Sequence, residues 1–79
     1  MTEQQIQSKK IKELEDQGYY VIKLTKTNKN GIPDLIAIPK DSDVLFIEVK
    51  SEKGKLSPLQ KYRIMEIENH GVKVDVHRG

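Results

Sequence analysis

Two short apolar runs, separated by a turn-forming segment, are each joined to an acidic residue, and this pattern constrains the fold most. Asp34 opens the run of residues 35–38, and residues 44–47 lead directly into Glu48. Residues 39–43 between them read Pro-Lys-Asp-Ser-Asp, which is typical of a tight turn. We therefore expect an antiparallel hairpin that brings the two acids to the same end of the sheet.

Two carboxylates at one end of a hairpin predict a cation between them, because like charges so close do not ionise together easily. Oxygen ligands with no nearby histidine or cysteine favour Mg²⁺ or Mn²⁺ over zinc. Side chains two residues apart share one face of a strand, so Lys50 points the same way as Glu48. A lysine there could orient or deprotonate a water and offset charge on a phosphate. The set Asp34, Glu48 and Lys50 therefore predicts phosphodiester chemistry.

The rest of the chain reads as helix, three strands, helix and strand. Thr2 and Gln5 form a capping-box pattern for the first helix, which we expect to stop at Gly18. Ser57 and Gln60 repeat that pattern around a proline at the first position of the second helix, expected to run to about residue 69. The strands are predicted at residues 19–24, 34–38, 44–50 and 72–77, the last as a half-exposed edge strand.

Length and composition limit the alternatives. The sequence of 79 residues predicts one domain with one small core, and the absence of cysteine excludes disulfides and thiolate zinc sites. No apolar run is long enough to span a membrane and no signal-like segment is seen, so we expect a soluble, intracellular protein. Oligomerisation is the remaining common route to stability, and a homodimer is expected. The aromatic residues Tyr19, Tyr20 and Phe46 are predicted to be mostly core, and His70 and His77 to be surface residues.

The distribution of basic residues favours a nucleic-acid partner more than the net charge of +2 does. The loop before Asp34 carries lysines and asparagines but no acid, and a second basic stretch follows Lys50. Backbone phosphates are the expected contacts of these side chains. The candidate DNA-binding residues are Lys23, Lys26, Asn28, Lys29, Lys53 and Lys55. The alternative for each of these residues is that it is an ordinary solvated surface residue.

Three segments together carry a family resemblance. Residues 31–36 read Gly-Ile-Pro-Asp-Leu-Ile, residues 46–50 read Phe-Ile-Glu-Val-Lys, and residues 56–60 read Leu-Ser-Pro-Leu-Gln. With Glu3 near the start of a helix that ends before Gly18, this pattern resembles the virus-type replication-repair nuclease (VRR-NUC) domain of the PD-(D/E)xK nuclease superfamily. The match extends over essentially the whole chain, and no core position departs from it.

The resemblance implies an α/β fold with a restriction-endonuclease-like αβββαβ core, a mixed sheet and a single small domain over residues 1–79. It also implies a role for each matched position. Asp34, Glu48 and the backbone carbonyl of Val49 would bind the metal, Lys50 would be the catalytic lysine, Gln60 would act from the second helix, and Glu3 would reach the metal or its water. Glu3 also has a structural explanation at a helix N-terminus, and Gln60 has one as a capping residue.

The resemblance implies a metal-dependent endodeoxyribonuclease of DNA repair. Stand-alone members similar to this chain, including ones of the kind that phages encode, are typically homodimers that cut four-way (Holliday) junctions. Versions inside larger repair proteins act on flaps. Side chains on the second helix beyond those that one packed face needs, Tyr62, Met65 and Ile67, could form the dimer contact. The alternatives are cleavage of flaps, nicked duplex or RNA, a non-catalytic nucleic-acid-binding module on the same fold, and an interaction domain without nucleic acid.

Overall fold

The two helices begin where the capping patterns predict. The computed structural model describes residues 1–79 and shows α1 over Glu3–Asp16 and α2 over Pro58–Asn69. Thr2 and Ser57 each accept a hydrogen bond from the backbone N–H three residues later, and the side chains of Gln5 and Gln60 accept in return from the cap backbones. Both helices are therefore fixed at their N-termini by complete capping boxes.

Four strands form one mixed sheet in the order β1-β2-β3-β4. The strands are β1 (Tyr20–Lys23), β2 (Leu35–Ile38), β3 (Leu45–Lys50) and β4 (Lys73–Arg78). The first three pair antiparallel, whereas β4 lies parallel to β3 after the crossover through α2. The predicted α/β fold with an αβββαβ order and a mixed sheet is confirmed, and each predicted strand lies within one or two residues of its observed ends.

The core lies between α1 and one face of the sheet. Its buried apolar side chains come from α1, β2 and β3 and form a single cluster: Ile6, Leu14, Leu35, Ala37, Ile47 and Val49. Burial of each valine, leucine or isoleucine side chain stabilises a fold by about 1.5–3 kcal/mol, before the loss of conformational entropy is counted. A core this small leaves the other face of the sheet to be covered by α2.

The helix α2 covers that second face only in part, and the core predicted from the sequence was wrong in part. No side chain of α2 is fully buried, although the helix packs against β4. Tyr20, expected in the core, is 69% exposed, and Ile22 on the same face of β1 is also exposed. The reason is that β1 is an edge strand and α2 does not reach it, so this face of β1 has no neighbouring layer.

His77, expected at the surface, is half-buried, and burial lowers its pKa, with a further lowering by the charge of Lys10.

Neither helix combines the length and the apolar composition that a membrane span requires.

Candidate active site

Asp34 and Glu48 lie opposite one another across two neighbouring strands. Leu35 pairs with Ile47 in the antiparallel β2–β3 ladder, so the register continued by one residue sets Asp34 against Glu48. Residues directly opposite in an antiparallel pair point to the same face, with Cβ atoms about 4.5–5.5 Å apart. The hairpin thus brings together the two acids that the sequence predicted would meet.

Asp34 is held on both sides by backbone groups. Its Oδ2 accepts a 2.8 Å hydrogen bond from the N–H of Val49, and its backbone carbonyl accepts one of 2.8 Å from the N–H of Leu24. The first contact fixes the carboxylate against β3, and the second extends the pairing of β1 with β2 by one residue. The half-buried side chain of Asp34 therefore has Oδ2 held by the backbone of β3, and its carboxyl group interacts with that of Glu48.

Glu48 is the more deeply buried of the two acids. Its side chain is 2% exposed, and Oε1 has no hydrogen-bond donor. Burial raises the pKa of Glu48 to about 8, helped by a hydrogen bond with Asp34 and by the negative charges of Asp34 and Glu3, while Lys50 opposes the shift. A hydrogen bond between two carboxyl groups needs a shared proton, so this bond is lost when both groups are ionised.

Lys50 is the cationic member of the group. Its Nζ lies 3.9 Å from Oε2 of Glu48, and the residue is only 9% exposed. The distance is too long for a strong hydrogen bond, so the ammonium neutralises part of the acidic charge without occupying either carboxylate closely. The backbone carbonyl of Lys50 accepts from the N–H of Gly79, which ties the end of β3 to the end of the chain.

The donor set fits a hard divalent cation. It offers oxygen atoms only, and Oε1 of Glu48 is a buried acceptor that a cation would satisfy. Side chains alone supply two carboxylates, because no group of three or more histidine, aspartate or glutamate side chains is close enough to hold a metal. Mg²⁺ is commonly bound through one or two carboxylates with several waters retained. Val49 contributes its N–H to Asp34 in this arrangement, and its carbonyl as a ligand stays a prediction.

The two remaining predicted site residues lie near the ends of helices. Glu3 is in the first turn of α1, and its charge acts on Glu48, but it does not join the acidic pair as a third clustered carboxylate. A role of Glu3 at the metal or its water stays a prediction. Gln60 uses Oε1 to accept from the Ser57 backbone at 2.9 Å, which leaves its amide nitrogen free to donate. The structural role of Gln60 is confirmed, and its catalytic role stays a prediction.

The basic loop, defined as residues 24–33, connects β1 to Asp34. It surrounds a polar concavity of about 300 Å³ that is lined by Lys26, Lys29 and Asn30, among others. Lys26, Asn28 and Lys29 are exposed, as are Lys23 at the end of β1 and Lys53 and Lys55 after β3. All six predicted DNA-binding residues are thus free to meet a ligand.

Sequence reasoning missed two contacts that organise the site. The N–H of Val49 as the anchor of Asp34 follows only from the strand register, which turn and propensity patterns do not give. Arg63 on α2 donates from Nε to the carbonyl of Asn30 at 2.8 Å, across 33 residues of sequence. In the sequence it is one cation in a basic stretch, and nothing nearby marks it as a loop contact.

Comparison with known proteins finds a family match over almost the whole chain. The family model of the VRR-NUC domain matches residues 2–79, which includes every residue of the acidic site. No curated protein matches the chain. Gly31, Asp34, Glu48, Lys50 and Gln60, the positions that carried the resemblance, all lie inside the matched range.

Proposed function

The chain belongs to the VRR-NUC domain family, and on this basis we propose that it is an endonuclease that hydrolyses DNA phosphodiester bonds with Mg²⁺ or Mn²⁺. The family consists of nuclease-type domains that generally use divalent metals. DNA is therefore the expected substrate. Which DNA structure is cut and which ion is used are part of the proposal.

The observation that carries the proposal is the buried carboxylate of Glu48. An ionised carboxylate that is almost fully buried, with an unpartnered oxygen and a second acid opposite, is unfavourable, so Glu48 stays largely protonated unless a cation is added. A structural role alone would be served better by an apolar side chain at this position. The energetic cost of burying Glu48 opposite Asp34 is explained if the two acids are retained to bind an ion.

The residues around the pair have complementary roles in hydrolysis. A bound divalent ion would lower the pKa of a water and polarise a phosphoryl oxygen. Asp34, held by the Val49 N–H, and Glu48 would bind that ion. Lys50 would orient or deprotonate the attacking water and offset negative charge on the phosphate in the transition state. The free amide of Gln60 would orient the same water, and Glu3 would act through a second one.

We propose branched DNA, such as a four-way junction, as the substrate and a homodimer as the active form. Of the side chains expected at the dimer contact, Tyr62 and Met65 are exposed and Ile67 is half-buried. Leu59 on α2 is also exposed, and these exposed side chains support burial against a second copy. Two sites related by a two-fold axis suit a substrate with two symmetric strands to cut. The basic loop would contact backbone phosphates, which requires shape recognition but no reading of bases.

The direct test is cleavage of labelled junction, flap, nicked duplex, plain duplex and single strand, each with Mg²⁺, Mn²⁺ or excess chelator. We expect metal-dependent cutting of the junction, and loss of cutting in Asp34→Ala, Glu48→Ala and Lys50→Ala with the fold retained. Cutting by the wild type in chelator, or cutting by the three variants at the wild-type rate, would contradict the proposal.

Other outcomes separate the alternatives. Preferred cleavage of flaps or nicked duplex would keep the nuclease and change its substrate. Tight junction binding without cutting in any metal would favour a non-catalytic binding module. Absence of any salt-dependent DNA binding would favour an interaction domain.

A further inference from the structure

Arg63 joins α2 to the basic loop by two different kinds of contact. Its Nε donates to the carbonyl of Asn30 at 2.8 Å, and a second guanidinium nitrogen donates to Oε1 of Glu66 at 2.8 Å. The Arg63 side chain is only 19% exposed, and its guanidinium carbon lies 5.8 Å from the centre of the Tyr62 ring. A planar guanidinium can make both hydrogen bonds at once, whereas an ammonium presents one point charge.

The loop backbone is shaped to receive this contact. Gly31 follows Asn30 with φ +79°, and a Cβ there would lie 2.8 Å from Cγ of Leu59 and 3.4 Å from Cγ of Arg63. The chain therefore approaches α2 closely at a point where only glycine fits both the backbone conformation and the space. The hydrogen bond from Arg63 lies beside this point and holds the loop against α2.

Lys29 lies close to the contact between Arg63 and the loop. Lys29 lies between the polar concavity of the loop and a groove of about 520 Å³ that Arg63, Glu66 and Phe46 help to line. The hydrogen bond from Arg63 is the main cause that lowers the pKa of Glu66, and the charge of Lys29 acts in the same direction. Lys29 is thus close enough to interact electrostatically with the Arg63–Glu66 pair.

Asp34, in contrast, does not depend on Arg63. Its carboxylate is fixed by the Val49 N–H and its backbone by the Leu24 N–H, and both contacts belong to the extended sheet. Release of the loop from α2 would therefore move the lysines more than the acid. Binding of DNA and the chemical step would then respond differently to a change at Arg63.

We propose that Arg63 is a positioning residue that clamps the basic loop to α2 and so sets Lys26 and Lys29 for contact with DNA backbone phosphates. The proposal rests on the proposed nuclease function, because it assigns a substrate contact to the same site. Arg63 acts through the loop and takes no part in the chemical step itself. Its positive charge alone is not sufficient to hold the loop, because Nε and a second guanidinium nitrogen each donate a hydrogen bond to a different partner.

The test compares Arg63→Lys, which keeps the charge and loses the fork, with the double variant Lys26→Ala/Lys29→Ala and with the triple combination. We expect Arg63→Lys to raise KM for junction DNA about tenfold with kcat within about twofold. The slope of log affinity against log salt should fall by about 1–2, as it would when one or two phosphate contacts are lost at about 0.9 each. In the background without the two lysines, Arg63→Lys should add less than about twofold, because coupled residues are not additive.

A matched control is Lys12→Gln, which removes a cation that forms an ion pair within its own helix at 3.4 Å and touches no loop. This change should leave KM and the salt slope unaltered. Wild-type KM and slope in Arg63→Lys would overturn the proposal, since charge alone would then suffice. An undiminished effect of Arg63→Lys in the background without the lysines would also overturn it, since Arg63 would then act directly on DNA.

Limited trypsin digestion under native conditions separates this proposal from the nuclease proposal. Trypsin cuts after lysine, and Lys26 and Lys29 are exposed in the basic loop. We expect cleavage after these two residues to be faster in Arg63→Lys than in the wild type, because a loop released from α2 fits a protease more readily, while cleavage after Lys12 in α1 stays the same. If the wild-type protein neither binds nor cuts DNA, the proposed function is wrong, and the rate of loop cleavage then decides whether the clamp exists. An unchanged rate of loop cleavage in Arg63→Lys would overturn the clamp whatever the activity.

Discussion

The backbone N–H of Val49 holds Oδ2 of Asp34 at 2.8 Å, so the acid that precedes β2 is fixed by the strand that carries Glu48 and Lys50. One hydrogen bond thereby joins the two halves of the acidic site. The same carboxylate has a structural role through one oxygen and a proposed metal-binding role through the other. The two roles can be separated by substitution.

Asp34→Asn and Asp34→Ala should differ in stability and agree in activity. Asn keeps a carbonyl oxygen that can accept from Val49, whereas Ala leaves that N–H without a partner, which costs about 1–3 kcal/mol when the group is buried. Both should lower kcat/KM by about 100-fold or more, by analogy with the loss of a preorganised electrostatic group. Urea unfolding and junction cleavage measure the two effects. Equal stability of the two variants would show that the hydrogen bond contributes nothing.

Glu48 makes the stability of the metal-free protein depend on pH. Its pKa is raised from 4.5 to about 8, so the folded state binds this proton more tightly than the unfolded chain does. The favourable contribution is fully present below pH about 4.5 and is lost as pH rises towards about 8. Glu48→Gln should therefore be more stable than the wild type without metal, by an amount that grows over this range to about 1–3 kcal/mol.

Chemical unfolding at several pH values in the presence of chelator measures this difference. The exposed Glu15 provides the control, since Glu15→Gln should show no comparable growth over the same range. A Glu48→Gln variant that is less stable than the wild type at pH 8 would mean that the ion pair with Lys50 outweighs the burial of the carboxylate.

Ser57→Ala and Gln60→Ala should separate the two roles of Gln60. Each change breaks the capping box of α2, and each should lower the free energy of unfolding by about 0.5–2 kcal/mol. Gln60→Ala alone also removes the free amide, so it alone should slow DNA cleavage beyond the loss that Ser57→Ala causes. Rates measured well below the unfolding temperature decide this. Equal rates in the two variants would leave Gln60 with a capping role only.

Met65→Glu should convert the proposed homodimer to a monomer. Met65 is 49% exposed, so a charge there should change the stability of a monomer by no more than about 0.5 kcal/mol. Within a dimer contact the same charge would be buried without a partner. Sedimentation equilibrium of the wild type, Met65→Glu and the exposed control Gln4→Glu on α1 tests this. A monomeric wild type at micromolar concentration would contradict the dimer.

Local patterns were sufficient to predict the parts of the fold that local interactions determine. The capping boxes at Thr2 and Ser57 and the hairpin that joins Asp34 to Glu48 follow from residue type and from short spacing. Tyr20 was misplaced because its apolar character suits a core, and only the position of β1 at the sheet edge shows that no layer covers it. The contact of Arg63 with Asn30 depends on where α2 crosses the sheet, which no local pattern contains.

The central claim, that Asp34 and Glu48 form one divalent-cation site, is tested most directly by calorimetric titration of Mn²⁺ at pH 7. We predict binding to the wild type with release of a proton, because Glu48 is largely protonated at this pH without metal. The Asp34→Asn/Glu48→Gln double variant should bind no Mn²⁺ in the same range. Absence of binding by the wild type, or equal binding by the double variant, would contradict the account.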